Sequence, residues 1–126
     1  METVAVIGAS ADRAKFGNKA VRAFVQRGCT VYPVNPKETR IEGLPVFKSI
    51  AEVPARPNLI SVYLPPPALL KVLPDMAAKG CDELWLNPGT ESDEILALAE
   101  KLKLNVLQNV LQACSILGLG LLPETM

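Results

Sequence analysis

Five short apolar runs punctuate this chain, and the first four each stop on glycine, proline or asparagine. They are Val4 to Ile7 before Gly8, Thr30 to Val34 before Asn35-Pro36, Leu59 to Leu64 before Pro65, Glu83 to Leu86 before Asn87-Pro88-Gly89, and Asn105 to Gln108. The first, continuously apolar and β-branched, suits a central strand buried on both faces of a parallel sheet, and the other four read as further strands. The intervals carry helical spacing. From Asn18 to Arg27, Ala20, Val21, Phe24 and Val25 share a face, and Gly28 is placed to end that helix. Ser49-Ile-Ala-Glu52 has capping-box spacing for a short helix that must stop before Pro54. A helix from Pro67 to Lys79 would end at Gly80, with Pro74 predicting a kink or break. Thr90 or Ser92 caps a further helix, whose stripe is Ile95, Leu96, Leu98, Ala99 and Leu102. Strands alternating with helical crossovers predict an α/β fold with an open, doubly wound parallel sheet of about five strands. The expected order is 3-2-1-4-5, with a ligand crevice beyond the strand carboxyl ends where strands one and four diverge. The apolar stretch from Ala113 to Leu122 receives no assignment.

A chain of 126 residues without internal repeats or linkers is expected to form one domain spanning residues 1–126. No apolar run reaches the roughly 18 residues a membrane-spanning helix needs, and the start lacks the basic flank and apolar core of a signal peptide. A cytoplasmic location and no membrane association are the expectations. Cys29, Cys81 and Cys114 are far apart and suit buried packing better than a disulfide framework or metal site. The chain contains no histidine, which excludes histidine acid–base catalysis, a phosphohistidine intermediate and histidine metal ligands. Zero net charge argues against nucleic-acid binding. The charge is nevertheless uneven. Residues 11–40 hold seven Lys or Arg against Asp12 and Glu38, whereas residues 41–126 hold six against ten acids.

That basic excess falls on the stretch Gly8-Ala9-Ser10-Ala11-Asp12-Arg13-Ala14-Lys15-Phe16-Gly17-Asn18. A strand that feeds a glycine turn and then a helix N-terminus is how α/β folds seat phosphate, because unpaired amides and the helix dipole both face the anion. The loop fails the dinucleotide fingerprint, since only its first glycine is present, and no Walker A loop occurs. The end of strand two offers Asn35-Pro36-Lys37 where an NAD site wants an acid, and a lysine there suits a phosphorylated ribose. No pair of carboxylates falls in the expected crevice, and Asp12 suits a turn or cap better than a general base. Catalytic and metal-binding residues are therefore not assigned.

Val6-Ile-Gly8-Ala9-Ser10, then Tyr32-Pro-Val-Asn35-Pro36-Lys37, then Gly43-Leu-Pro-Val-Phe47 with Ser49, resemble the stand-alone CoA-binding proteins. Val62-Tyr-Leu-Pro65 and Leu84-Trp-Leu-Asn87-Pro88-Gly89 continue the match, so it covers nearly the whole chain. That family is similar to the N-terminal CoA-binding domain of the succinyl-CoA synthetase alpha subunit. The resemblance implies a Rossmann-like domain that binds coenzyme A or acyl-CoA across the strand ends, without catalysis. It implies that Gly8, Ala9 and Ser10 approach the phosphates and that Arg13, Lys15, Phe16, Gly17 and Asn18 complete their seat. It further implies that Lys37, after the Asn35-Pro36 turn, meets a phosphate such as the 3′-phosphate. Leu64, Pro65 and Pro66 would flank the adenine or pantetheine, and Asn87, Pro88 and Gly89 the opposite wall. Asn87 stands where that family usually has glutamine, and Gln112-Ala-Cys114-Ser replaces its usual cysteine segment. The resemblance does not extend to the ligase half, which carries the phosphorylated histidine. Two other readings remain open: an NAD(P)-binding enzyme or redox sensor on the same fold, and an interaction subunit of an acyl-CoA ligase. The ligand is a small nucleotide in either binding reading. The candidate protein partners are a second copy of the chain or a ligase subunit. Cys114 could also meet the CoA thiol as a mixed disulfide.

Overall fold

In a computed structural model, residues 2–87, 89–90 and 92–107 are described. Five parallel strands form one sheet: β1 (Thr3–Ile7), β2 (Thr30–Val34), β5 (Leu59–Val62), β6 (Glu83–Leu86) and β7 (Val106–Leu107). Between β2 and β5 the chain makes a small antiparallel hairpin, β3 (Arg40–Ile41) with β4 (Leu44–Pro45), and one 3-10 turn at Ile50–Glu52. The helices are α1 (Phe16–Gln26), α2 (Pro66–Lys79) and α3 (Asp93–Lys101).

The fold class is the expected one, but the strand order is not. It runs β2-β1-β5-β6-β7, so the third long strand lies between the first and the fourth rather than outside the second. Element alternation does not say on which side of β1 that strand pairs. Two local facts decide it. The outer side of β2 is occupied by the segment after the hairpin, where Phe47 N–H donates to Pro33 O and Asn35 N–H to Phe47 O. Leu59–Val62 is buried at every residue, as a central strand must be. The reversal of winding therefore falls between β1 and β5, and the crevice expected at strands one and four opens there instead.

Side chains alternate between two cores. Val4, Val6, Val31, Leu59 and Trp85 face α1 through Ala20, Val21 and Phe24, with Ile41 of the hairpin. Ala5, Ile7, Ile60, Val62, Leu84 and Leu86 face Leu69, Leu73 and Met76 of α2 and Ile95 and Ala99 of α3. Each fully buried Val, Leu, Ile, Phe or Met side chain among them contributes roughly 1.5–3 kcal/mol against chain entropy.

Helix α1 begins two residues before the expected Asn18 and ends in a Schellman motif, with Gly28 N–H on Val25 O and Cys29 N–H on Phe24 O. Helix α2 runs unbroken through Pro74, whose ring lies on the exposed face, where water can reach the carbonyl freed one turn earlier. Ser92, not Thr90, caps α3, its hydroxyl accepting from Ile95 N–H at 3.2 Å. The Ser49 side chain makes no cap hydrogen bond, and the capping-box sequence yields only the 3-10 turn. Pro88, Cys114 and the stretch from Ala113 to Leu122 lie outside the described residues.

Candidate functional site

Gly8 ends β1 at φ +85°, and a Cβ there would stand 2.7 Å from Tyr63 O. Only glycine fits, because the backbones leaving β1 and β5 nearly touch. Gly17 has the matching constraint from the helix side, since a Cβ on it would overlap the Gly8 carbonyl oxygen. Gly8 and Gly17 thus perform the close approach that the fingerprint glycines perform elsewhere, across a longer loop.

The loop between them is tied from within. Ser10 Oγ accepts from Asp12 N–H at 3.0 Å, Asp12 Oδ1 accepts from Ala14 N–H at 3.0 Å, and Lys15 N–H reaches Asp12 O. Asn18 is fully buried and donates to Ser10 O at 2.9 Å and to Glu42 Oε2 at 3.0 Å, while accepting from Arg22 Nε at 2.7 Å. Arg13 also lies beside Glu42, at 3.6 Å. Asn35 joins the loops after β1 and β2: its amide donates to Ala9 O at 2.8 Å, and its Oδ1 accepts from Lys37 and Glu38 N–H.

The expected phosphate donors divide on this geometry. The amides of Gly8 and Ala9 both donate to Val34 O, so they hold the loop to β2. The amides of Phe16 and Gly17 open α1 and have no acceptor inside the helix. Lys15 stands at the N-cap without capping through its side chain, and its ammonium has no partner among the described residues.

Two cavities flank the Gly8, Leu64 and Pro65 ridge. The first, of about 520 Å³, lies at the helix N-terminus and is lined by Ala14, Lys15, Phe16, Gly17, Tyr63, Gly89 and Thr90 as well as the ridge. The second, of about 590 Å³, lies on the α2 side and is largely apolar. Ile7, Val34, Pro36, Ile50, Pro67 and Met76 line it, with Asn35, Lys48 and Lys71 among its polar members. Sequence reasoning thus brought together Gly8, Lys15, Phe16, Gly17, Asn35, Pro36, Leu64, Pro65 and Gly89. Ala9, Ser10, Arg13, Asn18, Lys37, Pro66 and Asn87 line neither cavity. Asn87 is instead buried, and its amide donates to Val62 O at 2.6 Å and Ser61 Oγ at 3.2 Å, bracing β6 against β5. Thr90 Oγ1 in turn donates to Asn87 O at 2.6 Å.

Tyr63, Thr90, Lys48 and Lys71 also line the cavities, although the sequence did not single them out as site residues. For Lys71 a signal existed: Pro67, Ala68, Lys71, Val72, Asp75 and Met76 repeat at helical spacing, and that face of α2 lines the second cavity.

A family model described as "CoA binding domain" matches residues 2–114. The chain belongs to the CoA binding domain family. This CoA binding domain is 33% identical over 78 residues to the alpha subunit of acetate–CoA ligase [ADP-forming] II from Pyrococcus furiosus. That match covers 61% of the chain and 17% of the relative, so the domain spans less than a fifth of that ligase subunit. A solved structure of a conserved hypothetical protein from Pyrococcus furiosus superposes with TM-score 0.79 at 35% identity, covering 84% of this chain and 91% of that one. The dinucleotide-forming acetyl-coenzyme A synthetase 1 of Ca. Korarchaeum cryptofilum shares the fold at TM-score 0.75 and 24% identity, over 85% of this chain and 25% of that one. Among the described residues no helix is long and apolar enough to cross a membrane.

Proposed function

We propose that this domain binds coenzyme A, free or acylated, across the carboxyl ends of β1 and β5 and carries out no chemistry on it. The observation that carries this reading is the pair of cavities meeting at Gly8, Leu64 and Pro65, one largely apolar and one at a helix N-terminus. Coenzyme A has matching parts: a flat apolar base, a pyrophosphate, and a long pantetheine arm. The adenine occupies the α2-side cavity, against Val34, Pro36 and Ile50. The pyrophosphate crosses the ridge, whose close backbone approach depends on Gly8 and Gly17, and meets the Phe16 and Gly17 amides and Lys15. The pantetheine arm follows the wall of Tyr63 and Gly89. Gly89 suits this place, because even a Cβ there would meet nothing within 4 Å.

The chain supplies no histidine to carry a phosphoryl group, and among the described residues no side chain in the cavities pairs with a second titratable group in the manner of an acid–base couple. Binding and orientation are therefore its own contribution. Calorimetric titration with CoA, NADH and NADPH tests the reading. Saturable heat with CoA alone is expected, and saturable heat with NADPH but not CoA overturns it.

A second reading rests on the relatives' names, two of them alpha subunits of ligases. In it the domain presents its ligand to a separate ligase chain in the cytoplasm. Stoichiometric capture of a larger ligase chain by the tagged domain supports it, and recovery of the domain alone counts against it.

A further inference from the structure

The apolar cavity on the α2 side carries charge only at Lys48, Lys71 and Asp75 among the residues that line it. The two lysines arrive from different elements, and both backbones are anchored. Lys48 follows Phe47, whose N–H and carbonyl are both bonded to the β2 end and whose ring packs edge-on against Tyr32 at 5.6 Å. Lys71 lies on α2 between Leu69 and Leu73, both fully buried. Neither ammonium has a partner among the described residues, and Lys71 stays unpaired although Asp75 follows one turn later. Lys79 on the same helix differs, because its ammonium is engaged on the carbonyls of Ala51 and Val53. Lys37, the lysine expected from the sequence to meet a ribose phosphate, is exposed like Lys48 and Lys71 but lines neither cavity.

A cavity that takes a purine, with two uncommitted ammonium groups among its lining residues, suits a nucleotide with a phosphate on the ribose beside the base. An apolar wall next to those cations strengthens their attraction for the anion by displacing water. We infer that Lys48 and Lys71 together recognise the ribose 3′-phosphate and separate CoA from dephospho-CoA, and that Lys37 does not. The inference rests on the CoA reading above.

Titrating CoA and dephospho-CoA into the wild type, Lys48→Met/Lys71→Met and Lys37→Met tests it. Methionine keeps an apolar stem at each exposed site while removing the charge, so folding is preserved. The wild type should prefer CoA by about tenfold or more, as expected for charge-assisted contacts to a phosphate. The double variant should bind the two ligands to within about twofold, through lost CoA affinity with dephospho-CoA unchanged. Lys37→Met should keep the wild-type preference. The inference is overturned if the double variant keeps the preference, if it weakens both ligands equally, or if Lys37→Met alone abolishes the preference. A wild type that binds both ligands equally also overturns it and leaves the CoA reading standing. A wild type that binds neither removes the CoA reading itself.

Discussion

The two ends of the sheet treat their polar groups in opposite ways. At the amino end, Asn58 accepts from Thr3 N–H at 2.9 Å and donates to Asp82 at 3.0 Å. Arg56 meets the other oxygen of Asp82 at 2.9 Å, and Asn105 donates to Asp82 O. Every side chain named there is bonded to another part of the chain, and the cluster joins the starts of β1, β5, β6 and β7. At the carboxyl end the amides of Phe16 and Gly17 open outward, and the ammonium groups of Lys15, Lys37, Lys48 and Lys71 have no partner among the described residues. One end closes the fold, and the other leaves ammonium groups and amide donors unpaired among the described residues. Changes at the carboxyl end should therefore move binding, and changes at the amino end should move stability.

The largest effect is expected where the two roles meet. Gly17→Ala places a methyl against the Gly8 carbonyl and should cost about 2–4 kcal/mol in chemical denaturation and abolish CoA binding. Gly28→Ala is the comparison, because Gly28 has the positive φ that Gly17 lacks but nothing stands within 4 Å, so only the conformational penalty of about 1 kcal/mol is expected. Next is Lys15→Ala, for which CoA affinity should fall by several-fold while stability stays within about 0.5 kcal/mol.

Asp82→Asn should do the reverse, lowering the denaturation midpoint with CoA affinity unchanged. Hydrogen bonds from Asn58, then Arg56, hold the Asp82 carboxyl below the usual carboxylate range. Its folded-state pKa is thus below the unfolded one. The stabilisation is complete above the unfolded value of about 4 and is lost as pH falls through the lower folded value. Acidification below about pH 4 should therefore cost the wild type more stability than Asp82→Asn.

A smaller effect is expected for Glu42→Gln, which removes the negative charge beside Arg13 and Asn18; CoA affinity should rise by about twofold, since such partly exposed pairs are weak. The smallest concerns Cys81 near the amino end, whose thiol burial pushes up to about 11. It should alkylate more slowly with iodoacetamide at neutral pH in the native chain than in the unfolded one.

Much of this was legible in the sequence because strand–turn–helix punctuation is local. Gly8, Gly28, Gly80 and Ser92 each mark an element boundary the structure contains. Pairing order was not legible, because it depends on which side of β1 receives β5, and that is settled by Phe47 occupying the edge of β2. Residue types at the site were legible, but their division of labour was not. The amides of Asn18, Asn35 and Asn87 hold loops and strands together, which a loop sequence does not reveal, and of the three only Asn35 also lines a cavity. That Lys48 and Lys71 line one cavity was not legible either, since neither the hairpin's path nor the cavity face of α2 follows from a linear motif.

The contrast between the two ends is tested most directly by backbone amide chemical shifts during titration with CoA. The account expects shifts concentrated at Phe16, Gly17, Asn35, Leu64 and Lys71, with Asn58, Asp82 and Asn105 unmoved. Shifts centred on the amino-end cluster, or none at saturating CoA, would contradict it.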